Sequence, residues 1–155
     1  MGGVESDKPQ APSPEPALTW RACVPLDPPS QNHLLCSHYM MRVRKVRKIQ
    51  KAWFAFLYAG FARHTPKAER KRRMEVIRHH KNKRDEYDDG NLVGGFKPIL
   101  DLLTRPLGPK HYGMGLLVDD SPDWLDAEYS QVPDVGRGKD NWTEVILIEP
   151  RDTHE

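Results

Sequence analysis

The sequence predicts a single mixed α/β (α+β) domain, with one mixed sheet flanked by helices, and three observations carry that expectation. Leu18, Trp20, Ala22 and Val24 alternate with Thr19, Arg21 and Cys23, and residues 142–149 alternate in the same way; a two-residue period marks strands with one face buried. From Tyr39 to Phe61 only Gly60 interrupts an otherwise Pro- and Gly-free run. There Val43, Val46, Ile49, Trp53, Phe54 and Leu57 recur every three or four residues, the stripe of an amphipathic helix. Phe96, Ile99, Leu100 and Leu103 form a second such face.

Taken in order, residues 1–17 carry Pro9, Pro12, Pro14 and Pro16 among scattered charges. Such a stretch buries too little apolar surface to offset its ordering entropy, and it is expected to be disordered. Residues 18–150 form the domain and residues 151–155 a flexible end. Pro25 stops the first strand, and Asp27-Pro28-Pro29-Ser30-Gln31-Asn32 reads as a stiff, irregular loop rich in hydrogen-bonding side chains. After the long helix and Pro66, residues 74–80 read as a strand, with Val76 and Arg78 on one side and Ile77 and His79 on the other. Asp88-Asp89-Gly90-Asn91 is a turn that feeds a helix ending at Leu103. Its start falls at Leu92 or at Phe96; the later start keeps Pro98 in the first turn, where proline is tolerated. Residues 116–118 read as a short buried strand running into Asp119-Asp120. Residues 129–132 suggest another strand, and a Gly-containing turn at 136–138 leads to the last one, which completes the sheet.

Charge is strongly segregated. Residues 42–84 hold 16 Lys+Arg against 2 Asp+Glu, and residues 85–155 hold 6 against 16. A polyanion-binding face beside a cation-binding one produces this pattern; so do two ordinary solvated faces. Under the first reading, Arg42, Arg44, Lys45, Arg47 and Lys48 on the long helix, with Arg72, Arg73, Lys81, Lys83 and Arg84 beyond it, contact nucleic-acid phosphates. Trp53, Phe54 and Phe61 are assigned to the core rather than to base stacking, and Trp124 and Trp142 fit either role. Two cysteines, Cys23 and Cys36, make no disulfide framework. No apolar run approaches the ~20 residues of a membrane span, and no leader pattern follows Met1, so a cytoplasmic protein is expected. Met1-Gly2 with Ser6 meets a loose myristoylation pattern, set aside for its Pro-rich, acidic context.

The residues that bear chemistry are two acidic doublets, Asp88-Asp89 and Asp119-Asp120, with Lys97 between them. Carboxylate oxygens suit Mg²⁺, which takes few protein ligands and keeps waters, and a lysine beside them answers a phosphate. Each doublet alone also has an ordinary explanation: Asp88-Asp89-Gly90-Asn91 as a surface turn, and Asp119-Asp120 as a cap after a strand. A zinc site from Cys36, His38, His79 and His80 is disfavoured, since their spacings do not fit the tetrahedral pairs.

In order, Pro28-Pro29-Ser30-Gln31-Asn32, a basic helix, the Asp-rich turn with Asn91-Leu92, Lys97-Pro98-Ile99-Leu100-Asp101-Leu102-Leu103 and Gly115-Leu116-Leu117-Val118-Asp119-Asp120-Ser121 resemble the RusA family of phage and prophage Holliday-junction resolvases. The resemblance covers about residues 20–149. It implies a homodimer that binds four-way DNA junctions and cuts them in pairs with Mg²⁺ or Mn²⁺, in recombination and repair, in a bacterial or phage-infected cell. It also implies that Asp88, Asp89, Lys97 and Asp120 are catalytic, with Asp88, Asp89, Asp119 and Asp120 around the metal. Gly90 stands where the family has its second turn aspartate, so Asp89 supplies that carboxylate. A branched-DNA-binding protein with little or no nuclease activity is the alternative on the same scaffold, and a flap- or fork-directed nuclease a third.

Overall fold

A computed structural model describes residues 17–35, 38–61, 64–106, 113–134 and 140–151. The expected tail, apart from Ala17, lies outside the described residues, as do Cys36, the turn at 136–138 and residues 152–155.

The described residues form one four-stranded mixed sheet with helices packed on it. Strand β1 (Leu18–Val24) leads to a short helix α1 (Gln31–Leu35) and the long helix α2 (Tyr39–Phe61). Strand β2 (Arg72–His80), a 3₁₀ turn (Lys83–Asp85) and helix α3 (Asp89–Leu103) follow, then β3 (Leu125–Pro133) and β4 (Trp142–Glu149). The strand order is β1-β4-β2-β3. β4 is antiparallel to both β1 and β2, whereas β2 and β3 run parallel. Parallel neighbours need a crossover, and α3 supplies it. The last strand therefore completes the sheet from within.

The core sits between one sheet face and the two long helices. Ala22 and Val24 from β1, Met74 and Val76 from β2, and Val145 and Leu147 from β4 are buried against Trp53, Leu57 and Phe61 of α2 and Phe96, Ile99 and Leu103 of α3. Trp53 meets the edge of Phe96 at 6.0 Å between ring centres, a favoured aromatic geometry. The expected β2 pattern holds, with Val76 and Arg78 fully buried on the helix side.

Several expectations are corrected. Phe54 is not core: it is 38% exposed, because the buried stripe of α2 runs through Trp53, Leu57 and Phe61 and leaves residue 54 on the adjacent face. Helix α3 begins at Asp89, so Pro98 lies in its interior. Proline there removes the donor that the Gly94 carbonyl would accept. Its own carbonyl accepts from Gln50 Nε2 at 3.1 Å, tying α3 to α2. Residues 116–118 make no strand. Leu117 forms only an isolated parallel bridge with Thr104, although Leu116 and Leu117 are buried as expected. The loop after β1 closes into one helical turn, α1.

Candidate functional site

Helix α3 presents one exposed stripe, through Gly90, Val93, Lys97 and Asp101, while its remaining sides pack inward. The three- and four-residue steps place these positions on one face. The two acidic doublets flank this stripe, one at its head and one along its side.

At the head, Asp88 is the N-cap of α3. Its Oδ1 accepts from the Asn91 backbone N–H at 2.8 Å, and its Oδ2 accepts from Asn91 Nδ2 at 2.8 Å. The cap satisfies one of the first N–H groups of the helix, and its negative charge suits the positive end of the dipole. Asn91 Oδ1 in turn accepts from the Asn32 backbone N–H at 3.0 Å, so the turn is pinned to α1. Asp89 is exposed in the first turn.

The segment before the turn is anchored by a buried arginine. Arg78 makes a two-pronged pair with Asp27, Nε to Oδ1 at 2.6 Å and Nη2 to Oδ2 at 3.0 Å. It also donates to the Asp85 carbonyl and to Gln131 Oε1, and its guanidinium lies over the Tyr87 ring at 3.7 Å. Tyr87 donates its hydroxyl to the Pro28 carbonyl and its backbone N–H to Gln131 Oε1. One cation thus joins the β1–α1 loop, the approach to Asp88 and the edge strand β3.

Along the flank, Lys97 Nζ bonds Asp120 Oδ2 and lies 3.0 Å from Asp101 Oδ1. Asp119 Oδ1 accepts from the Asp120 backbone N–H at 2.8 Å. The bond from Lys97 holds the Asp120 carboxyl below the usual carboxylate range, against a smaller opposing effect of burial. Burial pulls the Lys97 ammonium down, but its bonds to Asp120 and Asp101 outweigh that and raise it. Lys97 is therefore charged and clasped between two carboxylates.

Lys97 joins Asp101 and Asp120, Asp119 bonds the Asp120 backbone, and Asp88 and Asp89 stand at the head of the same helix. The structure does not gather all four doublet carboxylates into one ligand set: among the described residues no three His, Cys, Asp or Glu side chains converge to hold one ion. Asp89 and Lys97 are eight positions apart, about 12 Å of axial rise, and the Lys97 ammonium is engaged by Asp101, one turn farther along the helix. Mg²⁺ is satisfied by one or two carboxylates plus waters, and each doublet separately offers that donor set.

Three residues that the sequence reading passed over belong to this site. Tyr129 packs edge-on against Phe96, at 5.7 Å between ring centres. Burial raises its phenol above the ordinary value, opposed by nearby Lys97 and reinforced by Asp120. Gln31 and Asn32 approach α3 because Gly94 and Gly95 face them. A Cβ at Gly95 would lie 1.7 Å from the Pro29 carbonyl oxygen, and one at Gly94 would lie 2.4 Å from the Gln31 side-chain amide carbon. The Gly94–Gly95 pair is thus the seat for the β1–α1 loop, and it sets the Gln31 amide against Gly94. Only the polar Ser30-Gln31-Asn32 run hinted at this.

The expected phosphate contacts divide. Arg44, Arg47 and Lys48 are exposed on α2, as are Lys83 and Arg84 beside the 3₁₀ turn, whereas Arg42 and Lys45 are half-buried. Arg72 is corrected: its side chain is 1% exposed, bonded to Glu149 and to the Leu116 carbonyl at 2.8 Å each, and stacked over Trp20. It pins the sheet and cannot meet a phosphate. Arg73 is committed to Glu75 and Glu128 on the sheet face turned away from the helices, and Lys81 to Asp134 with only 11% of its side chain exposed. His79 pairs with Glu144 and stacks on Trp142 on that same far face, and His80 contacts the Asn82 carbonyl. Neither histidine joins the α3 site.

Compared with known proteins, the chain matches no family model, no curated protein and no solved structure. Among the described residues no helix is long and apolar enough to cross a membrane.

Proposed function

We propose that the protein is a Mg²⁺-dependent, structure-selective endodeoxyribonuclease acting on branched DNA, four-way junctions foremost, as a homodimer. The observation that carries the reading is the exposed face of α3, where a charged lysine clasped to Asp120 lies between two acidic doublets. Phosphodiester hydrolysis needs an activated water and neutralised phosphate oxygens. Asp119 and Asp120, or Asp88 and Asp89, would hold a hard divalent ion, Mg²⁺ or Mn²⁺, which would supply charge neutralisation and a more acidic water.

The chain's own residues do the rest. Lys97 exchanges a carboxylate partner for the phosphate and offsets charge that develops there. Asp101 keeps the ammonium aimed along the stripe when Asp120 is engaged elsewhere. The Asp88–Asn91–Asn32 chain fixes the head of the helix. Exposed Arg44, Arg47 and Lys48 of α2 hold the DNA backbone without reading sequence. A two-fold dimer matches the symmetry of a junction, one site to each of two strands.

A second reading, branched-DNA binding without cleavage, is favoured by one observation: no three of the carboxylates converge. A labelled four-way junction incubated with the protein, with and without Mg²⁺ or Mn²⁺, separates the two. Paired, metal-dependent nicks support the nuclease; binding without nicks in either metal removes it. Flap and fork substrates in the same gel define the branch preference.

A further inference from the structure

The C-terminal half of α2 carries a feature that the site above does not use. Phe54 and Tyr58, one helical turn apart, are 38% and 55% exposed, with ring centres 5.7 Å apart and planes 25° from parallel. The two rings form one contiguous aromatic surface beside an open cavity, an arrangement that contact surfaces favour. Beside them opens a cavity of about 290 Å³, lined by Phe54, Tyr58, Thr65, Lys67, Met114 and Leu116. Its walls are mostly apolar, and two polar side chains on them bear on a ligand. Lys67 is exposed, with its methylene stem against Gly115. Thr65 is 8% exposed, and its hydroxyl has no hydrogen-bond partner among the described residues; a buried polar group left so is costly unless something supplies the bond.

We propose that this cavity receives one unpaired nucleobase of a DNA strand, stacked on the Phe54–Tyr58 pair, with the adjoining phosphate at Lys67. A π-face for the base and a cation for the backbone are the two components of single-strand recognition, and the cationic first half of the same helix provides the complementary charge. A base edge at the cavity floor offers the Thr65 hydroxyl the partner it lacks. The place also fits. The wall residue Leu116 is four residues before Asp120, a Cα separation of at most about 14 Å. At about 3.4 Å of rise per nucleotide, a base held here is within roughly four nucleotides of the acidic site. A base at a branch point, where stacking is interrupted, is extruded at lower cost than one inside a continuous duplex, so a cavity for such a base favours branched DNA. The inference rests on the DNA reading proposed above.

The test uses the full chain and four-way junctions carrying unpaired 2-aminopurine at the branch, with fluorescence, anisotropy and cleavage read on the same samples. With wild-type protein the 2-aminopurine signal should change on binding. Tyr58→Ala and Phe54→Ala should abolish that change and weaken binding of the unpaired-base junction by about 5- to 150-fold, the effect of losing one stacked base, with little effect on continuous duplex. Lys67→Gln and Thr65→Val should weaken it less. Both aromatic positions are exposed, and thermal melting confirms that the variants fold; Lys67→Gln, on an exposed side chain, stands in for any that does not. If wild type binds and cuts the junction with no 2-aminopurine response, and the variants bind as tightly, the cavity assignment is overturned while the DNA reading stands. If an apolar dye fills the cavity and DNA fails to displace it, the occupant is apolar and the assignment falls likewise. If no DNA binds at all, both fall.

Discussion

Asp88 and Asp120 have different local duties, and each can be tested separately. Asp88 spends both oxygens on Asn91, so Asp88→Ala should lower stability by about 1 kcal/mol, the usual worth of an N-cap, measured by urea denaturation. Asp120 is held by Lys97, and the signs of the two shifts define a pH window. A carboxylate depressed by a partner contributes stability that is present above its unfolded value, about 3.9, and is lost as pH falls through its lower folded value. A lysine raised by its partners contributes below about 10.4 and loses that contribution as pH rises through its higher folded value. The Lys97–Asp120 tie should therefore persist from about pH 4 to about pH 10. Carbon NMR of the Asp120 carboxyl should show titration below 3.9 and a return toward that value in Lys97→Met; an unshifted wild-type titration contradicts the tie. At this scale the sequence was informative about residue type and poor about commitment. The doublets and Lys97 stand out by spacing, but nothing in the chain distinguishes buried Arg72 from exposed Arg44, since tertiary position alone decides which cation keeps its head in water.

At the scale of elements, periodicity carried the reading. Helix α2 spans the Tyr39–Phe61 run and β1 the alternating stretch, because each has one face to bury and a period that shows it, whereas β4, an inner strand, buries the consecutive apolar residues Val145, Ile146 and Leu147. Helix α3 was harder to delimit, since Pro98 argues for a late start. The Asp88 cap and the tertiary packing of Leu92 and Phe96 override that local preference. Its glycines carry no periodic signal, yet they seat a neighbouring loop through contacts 59 and more residues away in sequence, beyond the reach of local pattern. Gly95→Ala drives a methyl into the Pro29 carbonyl and should cost about 1–3 kcal/mol, as overpacking does; thermal melting measures it, and an unchanged midpoint would show that the loop does not rest there. For α2 the proposed role is electrostatic. Replacing Arg44, Arg47 and Lys48 with Gln should make the salt dependence of junction binding shallower by about 2.7 log units per decade if all three contact phosphates, at about 0.9 for each. Identical slopes would remove α2 from the interface.

For the whole molecule, the fold explains how a polar site is kept rigid. The β2–α3–β3 crossover places α3 over the sheet, Arg78 ties the approach to Asp88 onto β3 and the β1–α1 loop, and Arg72 joins β2 to the end of β4 and to the segment that leads toward Asp119. The approach to Asp88 and the segment before Asp119 are thus each tied to the sheet by a buried cation. The mixed α/β class was legible because strand and helix periods alternate along the chain; the sheet order, with β4 between β1 and β2, was not, because nothing local specifies which strands pair. The failure of the two doublets to converge on one point was equally hidden, since it depends on how far along α3 the Asp119–Asp120 loop docks.

The most direct test of the proposed chemistry is a paired binding and cleavage measurement on Asp120→Asn with a four-way junction and Mg²⁺. The substitution keeps shape and hydrogen-bonding capacity but removes the charge that Lys97 and a divalent ion require. The account predicts junction affinity within about twofold of wild type and a cleavage rate lower by at least about 100-fold, the scale on which removal of one key electrostatic group acts. Cleavage at the wild-type rate would show that the acidic flank of α3 is not where the phosphodiester is broken.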